Sequence, residues 1–399
     1  MKIALRASEI APSLTLELTA KSKRLKEEGR DVVSFGAGEP DFNTPEYICR
    51  SAKEAIDKGM TKYTPASGTV ALKKAICEKF KVENALDYEP SNIVVSNGAK
   101  HSLHNVINAI VEQGDEVIIP SPYWLTYPEL VRLAGGIPVF VEAKAENGFK
   151  MTASELSKKI TKKTVAIILN NPNNPTGAIY SENEIKEIAK VVEKNDIWVI
   201  SDEIYEVLNY TDTPVYSIAK YSEKLKQQTV IVNGVSKSYA MTGWRIGYIA
   251  CPISLAKAIS NMQSHTTSNP NSIAQYATVE AYEGKDGKSF LTKMRDSFIR
   301  RRDLILEELD KINSLSYVRP DGAFYVMVDV SSVFGKKVDG KIIDGALAFA
   351  NVLLDKAEVT VIPCEPFGAP NYVRLSYAIS DDDIVKGVRR IGAFVSSLD

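Results

Sequence analysis

The sequence predicts an α/β fold: a mainly parallel seven-stranded sheet between helices, with a smaller α+β domain beside it. Three observations predict it. Short apolar runs rich in Val and Ile alternate with amphipathic stretches from residue 92 to about residue 250. These runs are apolar at nearly every position instead of every second one, which suits strands buried on both faces. After about residue 285 the pattern changes to a long charged helix and isolated strands. The expected division is an N-terminal arm that joins the small domain (1–40), a large domain (41–285) and a small domain (286–399).

Residues Leu16–Glu28 read as a helix that packs with the C-terminal region, because chain termini often lie together. The first strand is Asn92–Ser96, ended by Asn-Gly, and Leu103, Val106, Ile107 and Ile110 then recur at helical spacing. Strands follow at Glu116–Pro120, Ile137–Val141 and Thr164–Leu169. A helix over Glu182–Asn195 leads to Ile197–Ser201, and Thr229–Val232 and Ile246–Ala250 complete the seven. The long helix spans roughly Ser289–Lys311, and the small domain takes strands near Ala323–Asp329 and Val373–Tyr377. In parallel sheets ligands bind beyond the carboxyl ends of strands. NGAK (97–100), SPYW (121–124), NNPNNPTG (170–177), SDEIY (201–205) and NGVSK (233–237) all fall there, which points to one site.

A chain of 399 residues can hold two domains and a large core. Its 49 basic and 50 acidic residues leave a net charge of −1, which excludes a generally basic nucleic-acid surface. The four cysteines are scattered without a CxxC, and with only three histidines a zinc site is not expected. Charges and a proline interrupt MKIALRASEIAPSLTLEL where a signal peptide needs an apolar core. No stretch approaches the roughly 20 apolar residues of a membrane span. The expectation is a cytoplasmic protein with no membrane or nucleic-acid partner. The strand–helix order also suits a nicotinamide-dependent dehydrogenase, but no GxGxxG follows a strand.

The polar clusters suggest a specific chemistry. An acid at a strand end often caps the next helix. Asp202, directly after an apolar strand, can instead hold a proton on a heterocyclic nitrogen. With a lysine able to form a Schiff base, such as Lys237, that is the electronic requirement of pyridoxal phosphate chemistry. Gly98, at a strand-to-helix turn, permits close backbone approach, and the following helix start suits a phosphate. Arg245 adds a fixed charge there. Asn174 sits in a proline-stiffened segment where its amide can donate to a phenolate oxygen, and Pro172 and Pro175 are candidate cis prolines. Arg374, among apolar neighbours on a strand, offers a planar clamp for an α-carboxylate.

The stretches GAGEPDFNTP, KYTPASG, NGAKHSL, SPYWLTYPE, NNPNNPTGA, SDEIYE, SKSYAMTGWRIGY, PDGAFYV and VRLSYA run in order from residue 36 to residue 378. With them the chain resembles the fold-type I, class I aminotransferases, of the bacterial aspartate aminotransferase subgroup. The resemblance implies a pyridoxal 5′-phosphate enzyme in which Lys237 holds the cofactor and moves the proton at the substrate α-carbon. It implies Asp202 as partner of the pyridinium, Asn174 and Tyr205 around the phenolate oxygen, and Trp124 stacked on the ring. The phosphate falls to Gly98, Ala99, Lys100 and Arg245, and to Tyr63 reaching in from a second subunit, so a homodimer with shared active sites is expected. Substrate binding falls to Arg374, to Gly38 in a segment that moves on closure, and to Trp124 and Asn174. Lys100, Ser13 and Thr15 match the residues that contact a distal carboxylate.

The implied reaction is ping-pong transfer of the amino group from L-aspartate to 2-oxoglutarate. Prephenate or aromatic amino acid transamination is the alternative within the family. A cysteine-type C–S β-lyase uses the same scaffold, but the cation at Lys100 argues against it. A ligand-sensing regulator on this fold needs an added DNA-binding domain, and the pattern begins too close to residue 10 to leave room for one.

Overall fold

The computed structural model describes residues 2–8, 10 and 14–398. Its centre is a seven-stranded sheet: β1 (Ile93–Ser96), β2 (Glu116–Ser121), β3 (Ile137–Glu142), β4 (Thr164–Asn170), β5 (Trp198–Asp202), β6 (Thr229–Gly234) and β7 (Gly247–Ala250). Their spatial order is β1-β7-β6-β5-β4-β2-β3. Pairing is parallel throughout β6-β5-β4-β2-β3, and β7 runs antiparallel to both of its neighbours.

Both faces of the inner strands are buried, as their continuous apolar runs require, whereas the edge strand β3 leaves Ile137 and Phe140 exposed. Ala166 and Ile168 of β4 pack with Ile200, Val230 and Val106 on one face. Ile167 and Leu169 pack with Val199, Ile185 and Ile188 on the other. Burial of one such aliphatic side chain stabilises the fold by about 1.5–3 kcal/mol. The helix Glu182–Asn195 that covers the second face starts with a capping box, Ser181 accepting from Glu184 N–H while Glu184 accepts from Ser181 N–H.

The antiparallel β7 has a local cause and a functional consequence. A parallel crossover takes a dozen or more residues, usually helical. Residues 235–246 form only a short helical turn, Val235–Ser238, and a 3₁₀ turn, Thr242–Trp244. The chain therefore doubles back at the same edge, and the segment preceding β7 joins the carboxyl ends of its neighbours. Gly247 makes this packing possible. A Cβ there would lie 2.1 Å from Ala99 N, so its absence lets the helix Ala99–Ile110 drop against the sheet.

A second sheet contains β8 (Ser316–Tyr317), β9 (Tyr325–Asp329), β10 (Ile362–Pro363) and β11 (Tyr372–Ser376), antiparallel in the order β10-β11-β9-β8. The helices Gly287–Leu309, Ala346–Ala357 and Asp381–Ser396 cover it through Phe298, Ile305, Phe349, Leu353, Ile384 and Val388. The N-terminal helix Leu14–Glu27 lies on this unit, with Leu18 packed among Met327, Ile362 and Phe367. Val33–Ser34 then pairs in parallel with Val359–Thr360. No helix among the described residues is long and apolar enough to cross a membrane.

Candidate active site

A cavity of about 680 Å³ opens between the carboxyl edge of the large sheet and the second sheet. Gly38, Ala99, Lys100, Trp124, Asn174, Asp202, Tyr205, Lys237, Arg245 and Arg374 all line it. They come from segments far apart in the chain, and strand ends bring them together. Asp202 is the last residue of β5, one position inside the strand instead of beyond it, and no helix follows for it to cap. Lys237 follows β6, Asn174 follows β4, and Arg245 precedes the antiparallel β7.

Asp202 is 2 % exposed, so the environment of its carboxylate is set by protein groups. Tyr127 Oη donates to Oδ2 at 2.7 Å, and the Ile204 N–H donates to Oδ1 at 3.3 Å. Burial outweighs these donors and the nearby Lys237, and raises the Asp202 pKa to about 6. Lys237 shows the converse. Burial lowers its pKa to about 8, Glu39 opposes that shift, and Arg374 and Arg245 add to it. Its Nζ donates to Gly38 O at 2.5 Å. An amine poised near neutrality beside a buried carboxyl is suited to proton transfer.

Arg374 is 4 % exposed, on β11, one of the two inner strands of the second sheet. Nη1 donates to Asn174 Oδ1 at 3.0 Å, which leaves the Asn174 Nδ2 group as a donor. Its guanidinium lies 4.3 Å above the Tyr325 ring, and its buried Nε has no hydrogen-bond partner. Tyr205 and Tyr325 share a hydrogen bond of 3.0 Å between their hydroxyls. Lys100 Nζ stands 4.9 Å over the Trp124 ring, and burial together with Arg245 lowers its pKa.

The residues fit a phosphorylated, heterocyclic cofactor. Gly98 has φ +88°, and a Cβ there would sit 2.4 Å from Arg245 Nη2. The guanidinium and the turn thus close on each other with no room for a side chain. Arg245 itself adopts a left-handed φ of 57°, and its Nη1 donates to Thr242 O at 2.7 Å. The helix Ala99–Ile110 starts at this turn without a side-chain cap, so its first amides are open to an anion. Asp202, at the sheet edge, presents a carboxyl for a ring nitrogen. Pro172 and Pro175 both follow cis peptide bonds, as does Pro122.

One sequence-assigned residue that the structure describes stands apart from this cluster within the chain. Tyr63 is 91 % exposed and does not line the cavity. Ser13 and the side chain of Thr15 lie outside the described residues. The structure in turn adds Tyr127, Tyr325, Glu39 and Thr242, the last donating to Glu39 Oε2 at 2.5 Å. Tyr127 and Tyr325 sit inside SPYWLTYPE and PDGAFYV, stretches that had drawn attention without a role for either hydroxyl.

A sheet with a lysine, a buried aspartate and a buried arginine converging at its carboxyl edge defines a transferase site of a known kind. The chain matches the model of aminotransferase class I and II over residues 30–391 and belongs to that family. It is therefore an aminotransferase. The aspartate aminotransferase of Bacillus subtilis (strain 168) is 47% identical over 395 residues, covering 99% of both chains. The aspartate/prephenate aminotransferase of Cereibacter sphaeroides is 45% identical over 395 residues, covering 98% of each. Among solved structures, the aspartate aminotransferase of Rhizobium meliloti superposes with a TM-score of 0.96 at 42% identity, covering 100% of both chains. That of Thermus thermophilus with maleate gives 0.93 at 40% identity, over 98% of this chain and 99% of that one.

Proposed function

We propose that the enzyme transfers the amino group of L-aspartate to 2-oxoglutarate, with pyridoxal phosphate held at Lys237. The observation that carries the substrate reading is a second cation, Lys100, in the same cavity as Arg374. Two cations reward a substrate with two carboxylates, which an apolar side chain would leave unpaired. The dicarboxylate maleate in the Thermus thermophilus structure agrees with this.

Bound pyridoxal phosphate supplies an electron-accepting ring conjugated to the substrate α-carbon. Asp202 would hold a proton at the heterocyclic nitrogen, with the Tyr127 hydroxyl donating to its carboxylate and fixing it. Asn174 and Tyr205 would donate to the phenolate oxygen. The turn at Gly98, Ala99 and Lys100, with Arg245, would receive the phosphate. Arg374 grips the α-carboxylate, Asn174 holds Arg374 in place, and Lys100 meets the distal carboxylate. Lys237, whose amine is brought by burial to a pKa of about 8, would be the group that moves the proton at the substrate α-carbon.

L-aspartate added without a keto acid to enzyme loaded with pyridoxal phosphate is expected to convert the visible band to that of the amino form. One oxaloacetate should appear per site. A band that aspartate leaves unchanged would remove the substrate assignment, and pyruvate with ammonia would indicate the β-lyase. Prephenate also carries two carboxylates and suits the same two cations, as the Cereibacter sphaeroides relative's name suggests. Supplying prephenate as acceptor to the amino form decides whether it is used as well.

We also propose a homodimer. Tyr63 projects from its own subunit, and Val70, close by in sequence, is an exposed apolar residue at 58 %. Sedimentation equilibrium is expected to give twice the chain mass at micromolar concentration. A monomer that stays fully active would refute the shared site.

A further inference from the structure

Behind the cavity, Glu206 gathers three donors that the reaction does not use. Its side chain is 11 % exposed and ion-paired with Lys79, whose side chain is 4 % exposed. Oε2 accepts from Asn84 Nδ2 at 2.9 Å, and Oε1 accepts from Asn233 Nδ2 at 2.7 Å. Lys79 donates in addition to Asn84 Oδ1 at 2.8 Å. Asn233 uses its own Oδ1 to accept the Gly234 N–H at 2.7 Å. None of Lys79, Asn84, Glu206 and Asn233 lines the cavity.

The connections matter because of what they join. Glu206 directly follows Tyr205, and Gly234 leads into the turn Val235–Ser238 that carries Lys237. Pairing of β5 with β6 ends at Asp202 opposite Val232, and the Glu203 N–H to Val232 O bond of 2.9 Å closes that ladder. Beyond it the segment that presents Tyr205 leaves the sheet, while β6 continues to Gly234 paired only with β7, so strand pairing no longer joins the two. The Glu206–Asn233 bond ties them together there, and Lys79 and Asn84 anchor the tie to the helical stretch Val70–Asn84. A buried Lys–Glu pair adds little net stability, since desolvating both ions offsets their attraction. Holding two segments in one register is a use that does not depend on net stability.

We propose that Glu206 is a positioning residue. It fixes the Lys237 turn against the Tyr205 turn and so sets the Lys237 amine relative to Asp202 and the substrate α-carbon. The inference rests on the role given to Lys237 above. Misplacement of a reacting group by about 1 Å can cost on the order of 100-fold in rate.

Three variants test it. Asn233→Ala cuts the tie and leaves the Lys79–Glu206 pair intact. Glu206→Leu with Lys79→Met removes both charges together, so neither is left buried alone. Glu206→Gln keeps an acceptor for Asn233. The first two are expected to lower kcat for aspartate by about 10- to 100-fold with KM within about twofold. Glu206→Gln should recover most of that loss. A second readout needs no cofactor: the pH midpoint of Lys237 acylation, followed by mass spectrometry, should move from about 8 in the first two variants and stay there in Glu206→Gln. A native kcat and a native midpoint in folded Asn233→Ala would overturn the proposal. So would a Glu206→Gln enzyme as impaired as Asn233→Ala. Absence of transamination in the wild-type enzyme would refute the proposed function instead, and the acylation midpoints would still decide the role of Glu206.

Discussion

Lys237→Ala is expected to lower kcat for aspartate transamination by about 10⁴-fold, the upper end of the range for loss of a positioned proton carrier. The reason lies in the placement of the amine. Lys237 Nζ donates to Gly38 O and lies near enough to Asp202 for each to affect the other's pKa, while Lys100, also in the cavity, stands over Trp124. A residual rate within tenfold of wild type would show that another group moves the α-proton. The same substitution makes a second prediction in the cofactor-free protein. Lys237 has a folded-state pKa of about 8, below its ordinary 10.5, with burial as the first cause. Between these values the unfolded chain binds more protons than the folded one, so this residue's contribution to stability rises with pH. Below pH 8 the full cost of burying an ammonium is present, and by pH 10.5 it has gone. Lys237→Ala should therefore raise the melting temperature most at low pH, with an advantage that shrinks through pH 8 and above. Paired melts of the two cofactor-free proteins check this, and an advantage independent of pH would exclude desolvation of Lys237 as its source.

The inner strands of the large sheet are legible because burial on both faces leaves runs such as Val165–Leu169 apolar at every position. The direction of β7 is not, because periodicity is the same in parallel and antiparallel strands. Only the short turn between Lys237 and Gly247 bears on it, and that turn attracts attention for its lysine. Among site residues, Lys237, Asp202, Asn174 and Arg374 stand out as polar groups set against apolar strands. Tyr127 and Tyr325 do not. An aromatic ring at a helix start or in a strand reads as core, and both rings are indeed buried, with hydroxyls that bond to Asp202 and to Tyr205. Glu206 and Asn233 were invisible for a further reason. Each is an ordinary polar residue in its own segment, and only the fold places the two side chains within a hydrogen bond of each other.

Arg374→Ala is expected to reduce kcat/KM for aspartate by roughly 10²–10³-fold, as removal of a buried charged partner costs about 2–5 kcal/mol. Arg374→Lys should fall well short of full rescue, because an ammonium cannot make two parallel bonds to one carboxylate. The argument rests on what Arg374 lacks. It is buried, it has no carboxylate within ion-pair distance among the described residues, and its Nε has no partner. Asn174 and the faces of Tyr325 and Phe367 hold the guanidinium in position without neutralising it. A buried cation left unpaired destabilises the empty protein, and a substrate carboxylate relieves that cost on binding. The variant should then melt higher than wild type without ligand, while the stabilisation that wild type gains from maleate should be largely lost. If Arg374→Ala instead melts lower and retains the response to maleate, Arg374 serves the packing of the second sheet, and the α-carboxylate must be held elsewhere. The two melting experiments thus separate a binding charge from a structural one, before any turnover is measured.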